Sequence, residues 1–262
     1  MHKISITIIT LNEAEHIADA INSASWADEV IVVDSGSTDK TVEISQDLGA
    51  TVSHRSWTGY VDQKNYAARL ASYDWIFSLD ADERISEALA TEAREALENA
   101  PMQHGYRMPR VTFHLGKWIR TTDFYPDYQL RLYDRRSGRW EGRYVHESVK
   151  IDGPMGYLKN ELQHYSFQDL QDQIDRINHY TTLAAKQMYE SGKRARLIDI
   201  FQPNAAFIRN YLLRRGFLDG KVGLYISAIQ AYTVGLKFLK LWELQNQRSA
   251  NLPTQHPPGT HA

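Results

Sequence analysis

The chain has 262 residues, 32 acidic side chains against 30 basic ones, and no cysteine. That length supports one full hydrophobic core with an appendage, and a net charge of -2 provides no global field that would select nucleic acid or a membrane. The lack of cysteine removes disulfides, thiolate metal sites and thiol nucleophiles, and it fits a reducing cytoplasm.

The β-rich run Ile4 to Thr10 reads as a short strand, too short and too soon interrupted by Asn12-Glu13 to be a leader segment. Asn12 followed by Glu15 has the spacing of a capping box, and Ile17, Ala20, Ile21 and Ala24 recur at helical spacing behind it. Glu29 to Val33 predicts a second strand that runs into Asp34-Ser35-Gly36-Ser37-Thr38-Asp39. There Gly36 permits a tight turn, and Ser37, Thr38 or Asp39 can start a helix through Leu48. A short strand over Thr51 to Ser53 and a helix over Gly59 to Ala71 lead to the apolar strand Trp75 to Leu79. This β-α-β-α-β-α-β series predicts an α/β fold, a mainly parallel sheet with helices on both faces.

The strand at Trp75 delivers Asp80 and Asp82, one residue apart, to its carboxyl end. Residues i and i+2 of an extended segment point the same way. Two carboxylates so placed suit a hard divalent cation such as Mg²⁺ or Mn²⁺. The plainer alternative is a strand-to-turn junction whose acids cap the next helix. Thr10 and Asp34 also lie at carboxyl ends of strands, where open α/β sheets gather ligands. No G-x-G-x-x-G follows the first strand, and no G-x-x-x-x-G-K-[ST] occurs anywhere, so a dinucleotide fold and a P-loop are both disfavoured. His146-Glu147-Ser148-Val149-Lys150 is not a zincin motif, because its fifth residue is Lys.

After His164 the alternation gives way to nearly continuous helix, with Leu170, Ile174, Ile177 and Thr181 marking one face. From Phe201 the chain is aromatic and basic, and Val222 to Leu236 carries no charge. That stretch is shorter than the ~20 apolar residues that span a bilayer. Two readings stay open for it: a helix lying in the membrane interface, or a hairpin packed within the protein. The expected organisation is a catalytic domain over 1–166, a helical region over 167–248 and a disordered tail over 249–262.

Taken together, Thr10-Leu11-Asn12-Glu13, Val33-Asp34-Ser35-Gly36-Ser37-Thr38-Asp39, Gln63-Lys64-Asn65 and Leu79-Asp80-Ala81-Asp82-Glu83 resemble the nucleotide-sugar half of family 2 inverting glycosyltransferases of the GT-A fold. Trp57-Thr58-Gly59-Tyr60, Tyr125-Pro126-Asp127 through Tyr133, and Val145-His146-Glu147 resemble, more narrowly, the bacterial lipopolysaccharide core β-1,4-glucosyltransferases. The resemblance implies a UDP-sugar donor, a lipopolysaccharide core acceptor and a divalent metal, Mg or Mn. It implies donor contacts at Thr10, Glu13, Asp34, Lys64 and Asp80, metal ligation by Asp82, and His164 as an added ligand or diphosphate contact. The base that takes the acceptor proton would be Glu147, with Asp127 its rival, because a His-Glu pair stands where the family commonly has Glu-Asp. A nucleotidyltransferase would want a Gly-rich basic phosphate loop after the first strand, which is absent. A membrane-surface or nucleic-acid module built on the basic helices would leave the strand-end acids unexplained.

Overall fold

The structure, a computed structural model, describes residues 2–98, 102–142, 147–167 and 169–247. It falls into two compact units, residues 1–167 and 168–262. The expected tail, 249–262, lies outside the described residues.

In the first unit β1 (Ile4–Thr10), β2 (Glu29–Asp34), β3 (Thr51–His54) and β4 (Trp75–Asp80) pair in parallel in the order β3-β2-β1-β4. Between them run α1 (Ile17–Ser23), α2 (Thr41–Asp47) and α3 (Tyr60–Leu70). The sheet then turns mixed. β8 (Asp127–Asp134) is antiparallel to β4 and to the long β6 (Gly105–His114), while β12 (Leu162–His164) is parallel to β6 and antiparallel to β5 (Glu83–Ile85). β7 (Lys117–Ile119) and β11 (Met155–Tyr157) also pair with β6, and β9 (Gly138–Glu141) and β10 (Ser148–Ile151) form a separate hairpin.

Strand alternation sorts the core into two faces. Ile4, Ile6, Ile8, Trp75, Phe77 and Leu79 meet Ile17, Ala20 and Ile21 of α1 and Leu89, Ala90 and Ala93 of α4 (Glu87–Ala96). Ile31, Val33 and Ile76 face the other way, onto Ala67 and Ala68 of α3 and onto Trp140 and Val149 of the hairpin. Helices therefore cover both faces, as the alternation implied.

Two local expectations are corrected. No capping box forms at Asn12, which adopts φ 56°; α1 starts only at Ile17, and the N–H groups of His16 and Ile17 are received by the Glu13 carbonyl. The strand-end acids do not cap α4 either, since Ser86 does so by accepting from the Leu89 N–H at 3.2 Å.

The second unit is helical: α5 (Leu170–Glu190), a 3₁₀ turn (Leu197–Phe201), α6 (Gln202–Ile208), a π turn (Arg209–Leu213), a 3₁₀ turn (Gly216–Asp219) and α7 (Gly220–Gln247). The buried stripe of α5 runs through Gln173, Thr181 and Ala185; of the face expected from spacing Thr181 is buried and Ile177 half-buried, while Leu170 and Ile174 are exposed. The polar stripe is used: Tyr225 of α7 donates to Gln173 Oε1 at 2.8 Å, and Lys240 Nζ donates to Asn178, Thr181 and Thr182. By length and composition Gly216–Asn246 is long and apolar enough to cross a membrane, its most apolar 18 residues having a mean hydropathy of 1.3. The uncharged stretch thus belongs to a longer helix than charge alone marked out, one clamped to α5 within its own unit.

Candidate active site

The loops after β1 and β2 are stitched together. Asn12 N–H donates to Ser37 Oγ, Glu13 N–H to Thr41 Oγ1 and Ala14 N–H to Asp39 Oδ2, while Asn12 Oδ1 receives the Thr38 N–H. Asp34, almost fully buried, accepts from the N–H groups of Gly36 and Ser37 and from Ser37 Oγ, and so shapes the tight turn. Gly36 has φ 105°, a left-handed value that favours glycine. Thr10 lies directly opposite Asp34 in the parallel register, and its Oγ1 is buried without a protein partner. A preformed rim results at the carboxyl ends of β1 and β2, with one buried hydroxyl still to be satisfied.

Gln63-Lys64-Asn65 of α3 reach three different elements because consecutive helical residues are splayed by about 100°. Gln63 donates to Ser35 Oγ and to the Arg55 carbonyl, holding the β2 loop. Asn65 exchanges two hydrogen bonds with the Trp140 backbone and so docks β9. Lys64 sits over the Trp140 ring at 4.2 Å and donates to Asp80 Oδ1 at 2.7 Å.

From Asp80 a continuous charge network runs across the sheet. Arg131 bridges Asp80 and the fully buried Glu83, and Arg110 bridges Glu83 and Asp127 at 3.0 and 2.7 Å. Three cations alternate with three carboxylates, as buried charges must to offset their desolvation. Burial pushes the Asp80 carboxyl up, but Arg131 and Lys64 together reverse this and hold it well below the ordinary carboxylate range. Burial lowers the Lys64 ammonium, with Asp80 opposing.

Asp82 and Asp80 take different partners, although the Asp80 charge still acts on the Asp82 carboxyl. β4 ends at Asp80, and the turn that follows places Asp82 beside His164, whose Nε2 lies 3.3 Å from Asp82 Oδ2. Burial raises the Asp82 carboxyl, but the hydrogen bond and charge of His164 bring it below its usual value. His164 Nδ1 is buried and unpartnered. A carboxylate beside an imidazole suits a divalent ion of borderline hardness. Among the described residues no third His, Asp or Glu joins them, so the set fits an ion completed by phosphate oxygens and water rather than held in an all-protein cage.

The two base candidates occupy different surroundings. Asp127 has both oxygens engaged, Oδ2 by Arg110 and Oδ1 by Gln129 at 2.7 Å. Glu147 lines an open cavity of about 320 Å³ with Arg107, Tyr128, Gln129, Trp140 and Ser148. Trp140, which lines this cavity, also carries the Lys64 ammonium over its ring. His146 lies outside the described residues. The sequence motifs contain Glu83 and Arg131, but their spacing gave no role to these or to Arg110. An Arg inside the apolar stretch Leu130 to Leu132 was the one available sign, since a charge there must find a buried partner.

The chain belongs to Glycosyl transferase family 2, whose profile matches residues 5–160. It is 32% identical to the lipopolysaccharide core biosynthesis glycosyltransferase LpsC of Rhizobium meliloti, covering 97% of this chain and 98% of that protein. It is 35% identical to an uncharacterized glycosyltransferase of Rickettsia bellii, over 97% and 92% of the two chains. Among solved structures it is similar to the mannosyltransferase PcManGT of Pyrobaculum calidifontis, described in complex with GDP-Man and Mn²⁺. That match has a TM-score of 0.55 and 16% identity, covering 92% of this chain and 88% of the other. The fold is GT-A, and the protein is a glycosyltransferase.

Proposed function

We propose that this protein is a metal-dependent inverting hexosyltransferase that moves glucose from UDP-glucose onto a heptose of the lipopolysaccharide inner core, at the cytoplasmic face of the membrane that holds the acceptor. The observation that carries the reading is the meeting of Asp82 and His164 beside the Lys64–Asp80–Arg131 network, next to a loop rim with an unsatisfied Thr10 hydroxyl. The near full-length similarity to LpsC supports the acceptor class.

In this reading Thr10, Glu13 and the Asp34-shaped turn receive the nucleoside, and Asp82 with His164 holds the ion. A bound divalent ion would neutralise charge on the departing diphosphate. Lys64 and Arg131 add fixed positive charge near Asp80, which anchors them toward the sugar and ribose. Glu147, in the open cavity, takes the proton from the acceptor hydroxyl. The hydroxyl oxygen bonds to the anomeric carbon as the carbon–oxygen bond to the diphosphate breaks, and the electron pair leaves with the nucleotide, which inverts the centre. Asp127, already tied to Arg110 and Gln129, orients the acceptor instead.

The test is transfer from UDP-glucose, with Mn²⁺, to inner-core oligosaccharide that ends in heptose. UDP release with formation of a β-linked product is expected. Release of pyrophosphate from a nucleoside triphosphate, without UDP release from any UDP-sugar, would overturn the proposal.

A further inference from the structure

The second unit has a segment whose ordinary polarity is reversed. Leu197, Ile198, Ile200 and Phe201 of the first 3₁₀ turn are 94, 63, 73 and 64% exposed, while Asp199 between them is 6% exposed. The acid is turned inward because its carboxylate receives the Arg196 N–H at 2.7 Å and closes the turn. A water-facing turn would bury the leucine and isoleucines and expose the aspartate. The following turns repeat the pattern, with Leu213 76% and Leu218 63% exposed.

These side chains are displayed by a braced backbone. Gly223 at the start of α7 packs so closely on Gly216 that a Cβ there would lie 1.8 Å from the Gly216 carbonyl oxygen, and Asn210 is buried with its amide donating to the Ala206 carbonyl. The apolar display is therefore built into the unit.

The charge around it is predominantly positive. From Lys193 to Lys221 the chain carries seven Lys and Arg residues, against Asp199 and Asp219 alone. Lys193 and Arg209 stand near enough to Lys237 to add to burial in lowering its ammonium, which marks a crowding of cations. Exposed apolar chains flanked by Lys and Arg match the chemistry of a bilayer interface with anionic headgroups. A second protein surface would need no such excess of positive charge.

We infer that residues 193–221 form a docking surface for an anionic phospholipid bilayer, with Leu197, Ile198, Ile200, Phe201, Leu213 and Leu218 entering the acyl boundary and the basic side chains at headgroup level. The inference names the membrane contact of the proposed reaction and locates it in the turns before α7. It stands on the second unit by itself and is independent of the donor reading.

The experiment is flotation of the full chain with phosphatidylglycerol–phosphatidylethanolamine vesicles, compared with phosphatidylcholine vesicles, at low and high salt. Binding to the anionic vesicles, weakened by salt, is expected. Each basic residue near the surface contributes about fivefold to partitioning, so Arg214→Ser with Arg215→Ser should lower binding roughly 25-fold. Leu197→Ser with Leu213→Ser, at sites exposed enough to leave thermal unfolding unchanged, should abolish flotation even at low salt. Asp82→Asn should float like the parent, which separates this result from failure of the transferase reading. The inference is overturned if the parent stays unbound to anionic vesicles at low salt, or if both surface variants float as well as it does. A lipid-free dimer that the Leu197→Ser, Leu213→Ser variant dissociates, without a change in flotation, would assign the surface to a second copy instead.

Discussion

At the scale of single residues, Asp127 is engaged by Arg110 and Gln129, and Glu147 lines the open cavity. Glu147→Gln keeps the shape of the side chain and removes its basicity, so it should lose roughly 10²–10⁴-fold in transfer while UDP-glucose still protects the protein from unfolding. Asp127→Asn should lose less, mainly as weaker acceptor binding, because its carboxylate is spoken for by Arg110 and Gln129. Paired transfer and donor-protection measurements on both variants decide it, and the opposite ranking would transfer the base role to Asp127. Asp80 carries a pH signature. Its folded carboxyl is held below the ordinary value of ~3.9, so its contribution to stability is complete above about pH 4 and is lost as pH falls below that. In Asp80→Asn the acid limb of a stability–pH curve should flatten by at most about 1.4 kcal/mol per pH unit, while stability at neutral pH drops because Lys64 and Arg131 lose their counter-charge. Urea unfolding from pH 2.5 to 7 would reveal an unchanged acid limb if Asp80 were not so held.

At the scale of elements, α3 acts as the tie between the parallel half of the sheet and the β9–β10 hairpin. Asn65→Ala removes both hydrogen bonds to the Trp140 backbone and leaves a buried N–H and carbonyl unsatisfied, a cost of about 1–3 kcal/mol. A thermal or urea unfolding shift of that size is expected, and no shift would mean that the hairpin is held by Trp140 and Val149 packing alone. The elements also explain what was legible beforehand. β1, β2 and β4 announce themselves as β-branched and apolar runs ending in polar turns, because a parallel strand buried on both faces draws most of its residues from those types. β6 hides Pro109 and two arginines in a strand, and β11 and β12 are only three residues long. Such pieces exist through pairing with β6, a non-local cause that local patterning does not record. The same holds for α5, whose packed stripe is polar because Lys240 and Tyr225 of α7 supply its partners.

For the whole molecule, the strand-end site and the helical unit obey different chemistry. The site gathers buried alternating charges at the carboxyl ends of the strands, and its motif residues were visible in sequence as Asp34, Lys64, Asp80 and Asp82. Their linkage through Glu83, Arg110 and Arg131 was not, because ion pairs between strands far apart in sequence leave no spacing to read. The separate fates of Asp80, clamped by cations, and Asp82, turned to His164, also depend on where β4 stops. The central claim is that Asp82 binds a divalent ion needed for transfer, and the most direct measurement is UDP release from UDP-glucose by Asp82→Asn and by the parent across a Mn²⁺ titration after EDTA treatment. The account predicts a parent that is inactive without metal and restored by Mn²⁺, and a variant that stays at least 100-fold slower at saturating Mn²⁺, in line with the loss of transition-state charge stabilisation. A variant as active as the parent, or a parent fully active in EDTA, would contradict it.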